Sequence, residues 1–201
     1  MKKQIRILLK SLASAFVIAV IISMVPFQAV CQEVQNDVFR LHILANSDSD
    51  TDQALKLKVR DEILKYTQQM YKNAGSKSEA IRLTDKHLQA LADRAKGVVR
   101  DEGFDYCVTA QIVDTFFDTR TYGNVTMPSG EYPALRIIIG EGKGHNWWCV
   151  MYPSLCVGAS ADYQALKKCT DDREYNLLTG EKRIYKFKIV EYYEKIKDFL
   201  T

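Results

Sequence analysis

The sequence predicts an α+β domain in which a pair of helices covers a small antiparallel sheet. Two observations lead to this fold class. Apolar and polar residues alternate in "VFRLHILAN" (38–46) and "FDYCVTAQIVDTFF" (104–117), which is typical of half-buried strands. Between them, apolar residues recur at steps of three and four, as in amphipathic helices. The predicted order of elements is β-α-α-β-β-loop-α. We expect a disulfide to staple this domain and a hydrophobic N-terminal segment to precede it.

Residues 1–31 have the pattern of an export signal or a membrane anchor. Four basic residues precede "SLASAFVIAVIISMVPFQAV", a run of twenty uncharged residues. Its helix is expected to end at Pro26. Cleavage after Cys31 and retention as an anchor are alternatives, and lipidation of Cys31 fits its neighbours poorly. Each places residues 32–201 outside the cytoplasm, as a single secreted domain.

The charge balance of the exported part excludes one class of partner. The whole chain has 28 Lys and Arg against 25 Asp and Glu. Residues 1–31 hold four of the basic residues and none of the acidic ones, so 24 face 25 in the remainder. This near-neutral domain has no overall bias toward nucleic acid or anionic lipid.

Capping motifs mark the two helices of the predicted pair. Ser49 with Asp52 has capping-box spacing, ahead of a helix expected over 51–73. Ser76 with Glu79 repeats that spacing, and the second helix is expected to run on until Gly103.

The second half of the chain predicts fewer elements. "ALRIIIG" (134–140) is apolar enough for a central strand, and the following "GEGKGHNWWCVMYPSLC" (140–156) is expected to form a loop. Residues 159–183 are polar and are interpreted as a loosely packed excursion. A last helix is predicted over 185–200.

The cysteines indicate disulfides in an oxidising compartment. Cleavage after Cys31 leaves four, which allow three connectivities. Cys149 and Cys156 enclose six residues, so a loop staple between them is the economical pairing. By elimination Cys107 would pair with Cys169.

No metal, cofactor or small-molecule substrate is expected. "GEGKGHN" lacks the spacing of a phosphate loop and its Ser or Thr, so its glycines are interpreted as turn residues. Asp48, Asp50 and Asp52 lack the glycine and glutamate of a calcium loop and are expected to favour a helix start.

A thiol enzyme using Cys149 and His145 is the alternative function. A catalytic cysteine needs a base that holds it as thiolate. Cys156 lies close by, however, and a paired sulfur cannot attack a substrate.

The two adjacent tryptophans, Trp147 and Trp148, indicate a recognition surface. Neighbouring residues of an extended chain point to opposite faces, so burial of one ring tends to expose the other. An exposed tryptophan on a stapled loop would be a strong anchor for a protein partner.

Three stretches of the chain resemble one known family. "VFRLHILANSDSDTDQALKLKVRDEIL", "FFDTRTYGNVTMPSGEYPALRIIIGEGKGHNWWCVMYPSLC" and "KFKIVEYYEKI" resemble stage II sporulation protein R. The resemblance implies a protein made in the forespore and exported into the space between the septal membranes. It implies activation there of a membrane-embedded aspartic protease, stage II sporulation protein GA, which processes the precursor of the mother-cell sigma factor, sigma E. It implies no catalytic residues.

The resemblance also draws attention to "TRTYG", "SGEY" and "GEGKGHNWWC" as candidate partner-binding segments. The candidate residues in them are Arg120, Tyr122, Glu131, Glu141, Lys143, Trp147 and Trp148. For Arg120 and Glu131 the structural alternative is an ion pair that holds the hairpin loop.

Overall fold

The computed structural model describes residues 2–123, 125–153, 167 and 170–179. The α+β class is confirmed. The described elements are α1 (Lys2–Asp37), β1 (Phe39–Leu44), α2 (Asp50–Met70), α3 (Lys77–Lys86), α4 (Leu88–Asp101), β2 (Val108–Phe117), β3 (Arg120–Tyr122), β4 (Val125–Met127), β5 (Gly130–Ile139), β6 (Asn146–Tyr152) and α5 (Asp172–Thr179).

The main sheet has four strands in the order β2-β5-β1-β6 and is mixed. β2 is antiparallel to β5 and β6 is antiparallel to β1, but the central pair β1 and β5 is parallel. The prediction of an antiparallel sheet is therefore wrong for the central pair. Alternation specifies which face each side chain occupies and carries no information on strand direction.

One face of the sheet, here called the helix face, carries the larger core. Leu41 and Ile43 of β1 and Ile137 of β5 pack there against α2 and α4, and all three are fully buried. Ser49 accepts a hydrogen bond from the Asp52 amide at 3.2 Å, as its capping motif predicts.

The second predicted helix is two helices, α3 and α4, separated at His87. The Ser76 hydroxyl caps α3 by accepting from the Glu79 amide at 3.2 Å. Tyr66 of α2 contacts the ring of His87, with 3.0 Å between its hydroxyl and Nδ1. The interruption between α3 and α4 therefore lies where His87 contacts Tyr66. The spacing of apolar residues in the sequence does not reveal such a tertiary contact.

The opposite face of the sheet, here called the outer face, is covered in part by a second core. Val34 of α1, Met127 of the β3–β4 hairpin and Leu178 of α5 pack on Phe117 and Tyr132. Alternation within a strand does not predict this second layer, because it does not show which other elements cover a face.

The N-terminal helix α1 continues through position 26, so the predicted end at Pro26 is wrong. Phe27 and Cys31 pack against Leu177 of α5, and Cys31 is fully buried. The expected boundary after Cys31 therefore lies within a helix and within a packed cluster. In the part of the chain that the structure describes, no helix combines the length and apolar character needed to cross a bilayer.

Several predictions fall on residues outside the described ranges: Cys156, Cys169 and the last helix over 185–200. Within the predicted excursion 159–183, residues 172–179 form α5 and bury Leu177 and Leu178. The prediction of a loosely packed excursion is wrong for this part, because its few apolar residues lie on one side of a helix.

Candidate functional site

The glycine-rich segment after β5 forms a turn (140–145) that binds the loop after β1 (45–49). The amide of Lys143 donates to the carbonyl oxygen of Asn46 at 3.2 Å, and the amide of Glu141 donates to its side-chain oxygen at 3.0 Å. Because β1 and β5 are parallel, the loops at their carboxyl ends meet at one edge of the sheet.

Two glycines permit this close approach. Gly140 has φ +59°, and a Cβ there would lie 2.2 Å from the side-chain oxygen of Asn46. A Cβ on Gly144 would lie 2.1 Å from the carbonyl oxygen of Ser47. The turn amides at 141, 143 and 144 thus donate within the protein.

Charged groups reinforce the contact between the two loops. Asp48 accepts from the main-chain amide of His145 at 2.5 Å, and the ring Nδ1 of His145 lies at the same distance. The amide hydrogen bond holds the pKa of Asp48 below its usual value. Lys56 of α2 donates to the carbonyl oxygen of His145 at 2.8 Å, and burial lowers the pKa of Lys56.

The turn also carries two predicted site residues, Glu141 and Lys143. They form an exposed ion pair with 2.7 Å between Oε2 and Nζ. An exposed pair of this kind contributes little to stability. Both side chains therefore remain available to a partner at small cost.

The two tryptophans lie on opposite faces of β6, as strand alternation predicts. On the helix face, the Cζ atom of Arg60 lies 4.3 Å from the ring centroid of Trp147. On the outer face, the ring of Trp148 stacks on His42 with 3.7 Å between centroids. Both tryptophans are half-buried, so neither is the fully exposed anchor that the sequence suggested.

Tyr122 connects the β3–β4 hairpin to the outer face through a fully buried arginine. Arg40 donates from Nη2 to the Tyr122 hydroxyl at 2.8 Å, and that hydroxyl donates to the carbonyl oxygen of Trp148 at 3.2 Å. The Cζ atom of Arg40 lies 3.9 Å from the Phe117 ring centroid and 4.8 Å from that of Tyr132. The Nε and Nη1 atoms have no acceptor among the described residues.

Next to Arg40, a polar row crosses all four strands of the sheet: Gln111, Arg136, His42 and Trp148. Burial lowers the pKa of His42 to about 4; the Asn146 amide opposes this shift and the Arg136 charge adds to it. Arg136 donates from Nη2 to the Thr115 hydroxyl at 2.7 Å, and its Nε has no acceptor in the described ranges.

The predicted partner-binding residues do not form a single patch. Glu141 and Lys143 lie beyond one end of β5, whereas Glu131 lies at the other end. Arg120 is exposed on β3. No ion pair joins Arg120 to Glu131 in the described structure, so the suggested hairpin ion pair is wrong: the register places Arg120 opposite Met127, and Glu131 opposite Phe116 of a different strand.

The thiol and base of the alternative function are held in different environments. Cys149 is 1% exposed and lies in the core on the helix face. His145 is exposed and bound to Asp48.

Cys156 lies outside the described residues, so its staple with Cys149 stays a prediction. Cys107 is free and exposed, so its predicted pairing with Cys169 is wrong.

Sequence reasoning missed Arg40, His42 and Arg136. Alternation in 38–46 does place Arg40 and His42 on the outer face, but that face was expected to meet solvent. No local pattern indicates that a hairpin and two helices cover part of it. Arg136 stands within an otherwise apolar run, and this interruption is the signal that could have found it.

The sequence matches one sporulation family. A family model described as stage II sporulation protein R matches residues 35–162, and the chain belongs to this family. Stage II sporulation protein R of Bacillus subtilis (strain 168) is 37% identical over 149 residues. These residues cover 74% of this chain and 66% of that relative, just under two thirds of its length. No solved structure matches the chain.

Proposed function

We propose that this protein is an intercompartmental messenger of endospore formation. In this proposal it is made in the forespore and exported to the space between the septal membranes. There it activates the membrane-embedded aspartic protease, stage II sporulation protein GA, which processes the sigma E precursor. The N-terminal segment directs export and, if it is not cleaved, holds the domain at the membrane.

Membership in the stage II sporulation protein R family is the observation that carries this proposal. The geometry favours a role in binding over one in catalysis. A catalytic thiol needs a base within hydrogen-bond reach, whereas Cys149 lies in the core and His145 is bound to Asp48 at the surface.

Activation would work by differential binding. A messenger shifts the population of a protease only if it binds the active arrangement more tightly than the inactive one. The half-buried Trp148 and the exposed pair Glu141 and Lys143 are the proposed contacts, and strand β6 and the hydrogen bonds of the 140–145 turn would keep them ordered before binding.

Reconstitution in a non-sporulating host tests the proposal. The candidate protease, its sigma-factor precursor and this protein would be produced together, and the size of the precursor followed on a blot. We expect cleavage only when this protein is present. Cleavage should survive the combined change Cys149→Ser and His145→Ala, and should fall with Trp148→Ala. Cleavage that is independent of this protein would refute the messenger role.

Alkylation of the native, unreduced protein tests the thiol-enzyme alternative separately. We expect iodoacetamide to label the exposed Cys107 and to leave the buried Cys149 unmodified. Rapid labelling of Cys149, measured by peptide mass spectrometry, would support the enzyme instead.

A further inference from the structure

We infer that the outer face holds a carboxylate-binding site formed by Arg136, His42 and Trp148, and that the carboxylate belongs to an acidic segment of a partner protein. Nothing in the family assignment specifies this site. The inference rests on the proposed function only for the identity of the partner that bears the carboxylate.

Strand register brings these three residues together. His42 of β1 is paired with Arg136 of β5 on one side and with Trp148 of β6 on the other. His42 is 4% exposed and lies between Arg136 and Trp148. Arg136 and Trp148 are half-buried and flank it, and Gln111 is exposed beyond Arg136. Side chains in register on adjacent strands have Cβ atoms about 5 Å apart, so a carboxylate bound to Arg136 would lie next to the His42 ring.

The strand positions on the outer face provide positive charge without a counter-charge. They include two arginines, a histidine that is neutral at pH 7 because its pKa is about 4, and no aspartate or glutamate; the positions are 40, 42, 44, 109, 111, 113, 115, 117, 132, 134, 136, 138, 146, 148 and 150. Arg40 lies two residues before His42 on the same face of β1 and is fully buried. Charges so removed from water attract an anion more strongly than exposed ones.

Several nitrogen atoms at the site have no hydrogen-bond partner among the described residues. They are Nε of Arg136 and the two ring nitrogens of His42, one a donor and one an acceptor in the neutral ring; the Asn146 amide influences the ring without meeting hydrogen-bond geometry. A buried donor without an acceptor costs free energy that a ligand can recover. The ring of His42 is more than nine-tenths buried, so these atoms are not satisfied by bulk solvent.

The donor geometry favours a carboxylate over a phosphate. A guanidinium presents a planar fork that matches the two oxygens of a carboxylate. A phosphate site typically adds main-chain amides at a helix N-terminus, and here the donors stand on strands. The Trp148 ring supplies an apolar wall, and the exposed amides of Gln111 and Asn146 can bind the main chain of a peptide.

Peptide binding to the full-length protein in a neutral detergent tests the site directly. The probes would be the acetylated, amidated tripeptide Gly-Asp-Gly and its twin with Asn in place of Asp. Ring signals of His42 and the indole signal of Trp148 would be followed by NMR at pH 7. We expect saturable shifts with the acidic probe and none with the neutral twin. Equal shifts with both probes, or none with either, would overturn the inference.

Matched variants identify the donor. Arg136→Gln should weaken binding of the acidic probe about tenfold or more, the loss expected for a charge-assisted hydrogen bond. Arg136→Lys should restore part of it. Arg100→Gln removes the same charge from an exposed position on α4 and should leave binding unchanged. An equal loss in both glutamine variants would show a nonspecific charge effect and overturn the site.

The reconstituted cleavage assay then tests whether the carboxylate belongs to the protease. Arg136→Gln should reduce precursor cleavage, while Arg100→Gln should not. Peptide binding combined with normal cleavage by Arg136→Gln would refute the assignment to the protease. If the wild-type protein fails to trigger cleavage while the acidic probe still binds, the proposed function fails and the carboxylate site stands.

Discussion

The guanidinium of Arg40 donates a hydrogen bond to the hydroxyl of Tyr122 at 2.8 Å, deep beneath the β3–β4 hairpin. Arg40 is fully buried and lies against the rings of Phe117 and Tyr132. Since Tyr122 in turn donates to the carbonyl oxygen of Trp148, this pair fixes the hairpin over the strand that carries the proposed recognition residue.

We expect Tyr122→Phe to lower the free energy of unfolding by about 2 kcal/mol, because it removes an acceptor from a buried charge. Arg40→Met should be far milder, since a buried cation replaced by an apolar side chain leaves no unpaired donor. In the Arg40→Met protein, the cost of Tyr122→Phe should fall by about 1 kcal/mol. Urea unfolding of the four proteins measures this coupling, and strictly additive costs would contradict it.

The low pKa of His42 predicts a pH-dependent loss of stability. Its pKa is about 4 in the folded protein against an ordinary value of about 6.5, so the unfolded chain binds more protons between these values. The contribution of neutral His42 to the free energy of unfolding is complete above about pH 6.5 and is lost as the pH falls toward 4. At about 1.4 kcal/mol per pKa unit, we expect the loss to be about 3 kcal/mol by pH 4.

His42→Phe is the matched control for that prediction. It keeps an aromatic ring against Trp148 and removes the titrating group. The difference in unfolding free energy between wild type and this variant should change between pH 6.5 and 4 and be flat above pH 7. A difference that stays constant through the window would show that His42 does not titrate as proposed.

The burial of Phe27 and Cys31 predicts that the start of the domain affects its stability. A chain beginning at Gln32 should be less stable than one beginning at Phe27 by about 3 kcal/mol, because Leu177 loses its apolar cover. A chain beginning at Ile22 should match the one from Phe27, since Ile22 and Val25 are exposed. Thermal unfolding of the three chains measures the difference, and identical midpoints would place the domain boundary after Cys31.

Replacing two glycines by alanine should change the stability of the protein in opposite directions. Gly144→Ala places a methyl group 2.1 Å from the carbonyl oxygen of Ser47 and should cost about 2 kcal/mol or more by separating the two loops. Gly97→Ala meets no atom within 4 Å inside α4 and should stabilise the protein by about 0.5–1 kcal/mol. Chemical unfolding measures both, and a neutral Gly144→Ala would show that the loops adjust.

Features that depend on neighbouring residues could be predicted from the sequence alone. The caps at Ser49 and Ser76, the opposite faces of Trp147 and Trp148, and the turn role of the 140–144 glycines each follow from backbone geometry over a few residues. Family membership also followed from the sequence, because long motifs in a fixed order are specific. Strand β6 was missed because the glycine-rich segment before it and the expected Cys149–Cys156 staple favoured a loop.

Contacts between distant parts of the chain were decided only by the tertiary structure. The parallel pairing of β1 with β5 brings the loops at 45–49 and 140–145 together, and it aligns His42 with Arg136. The cover over Arg40 comes from the end of α1, which directly precedes β1, and from the β3–β4 hairpin and α5, which are far from it in sequence. Periodicity assigns a residue to a face, but burial of a whole face depends on which other segments pack there. The candidate residues were for that reason divided between two ends of the sheet, while the buried polar row was found only in the fold.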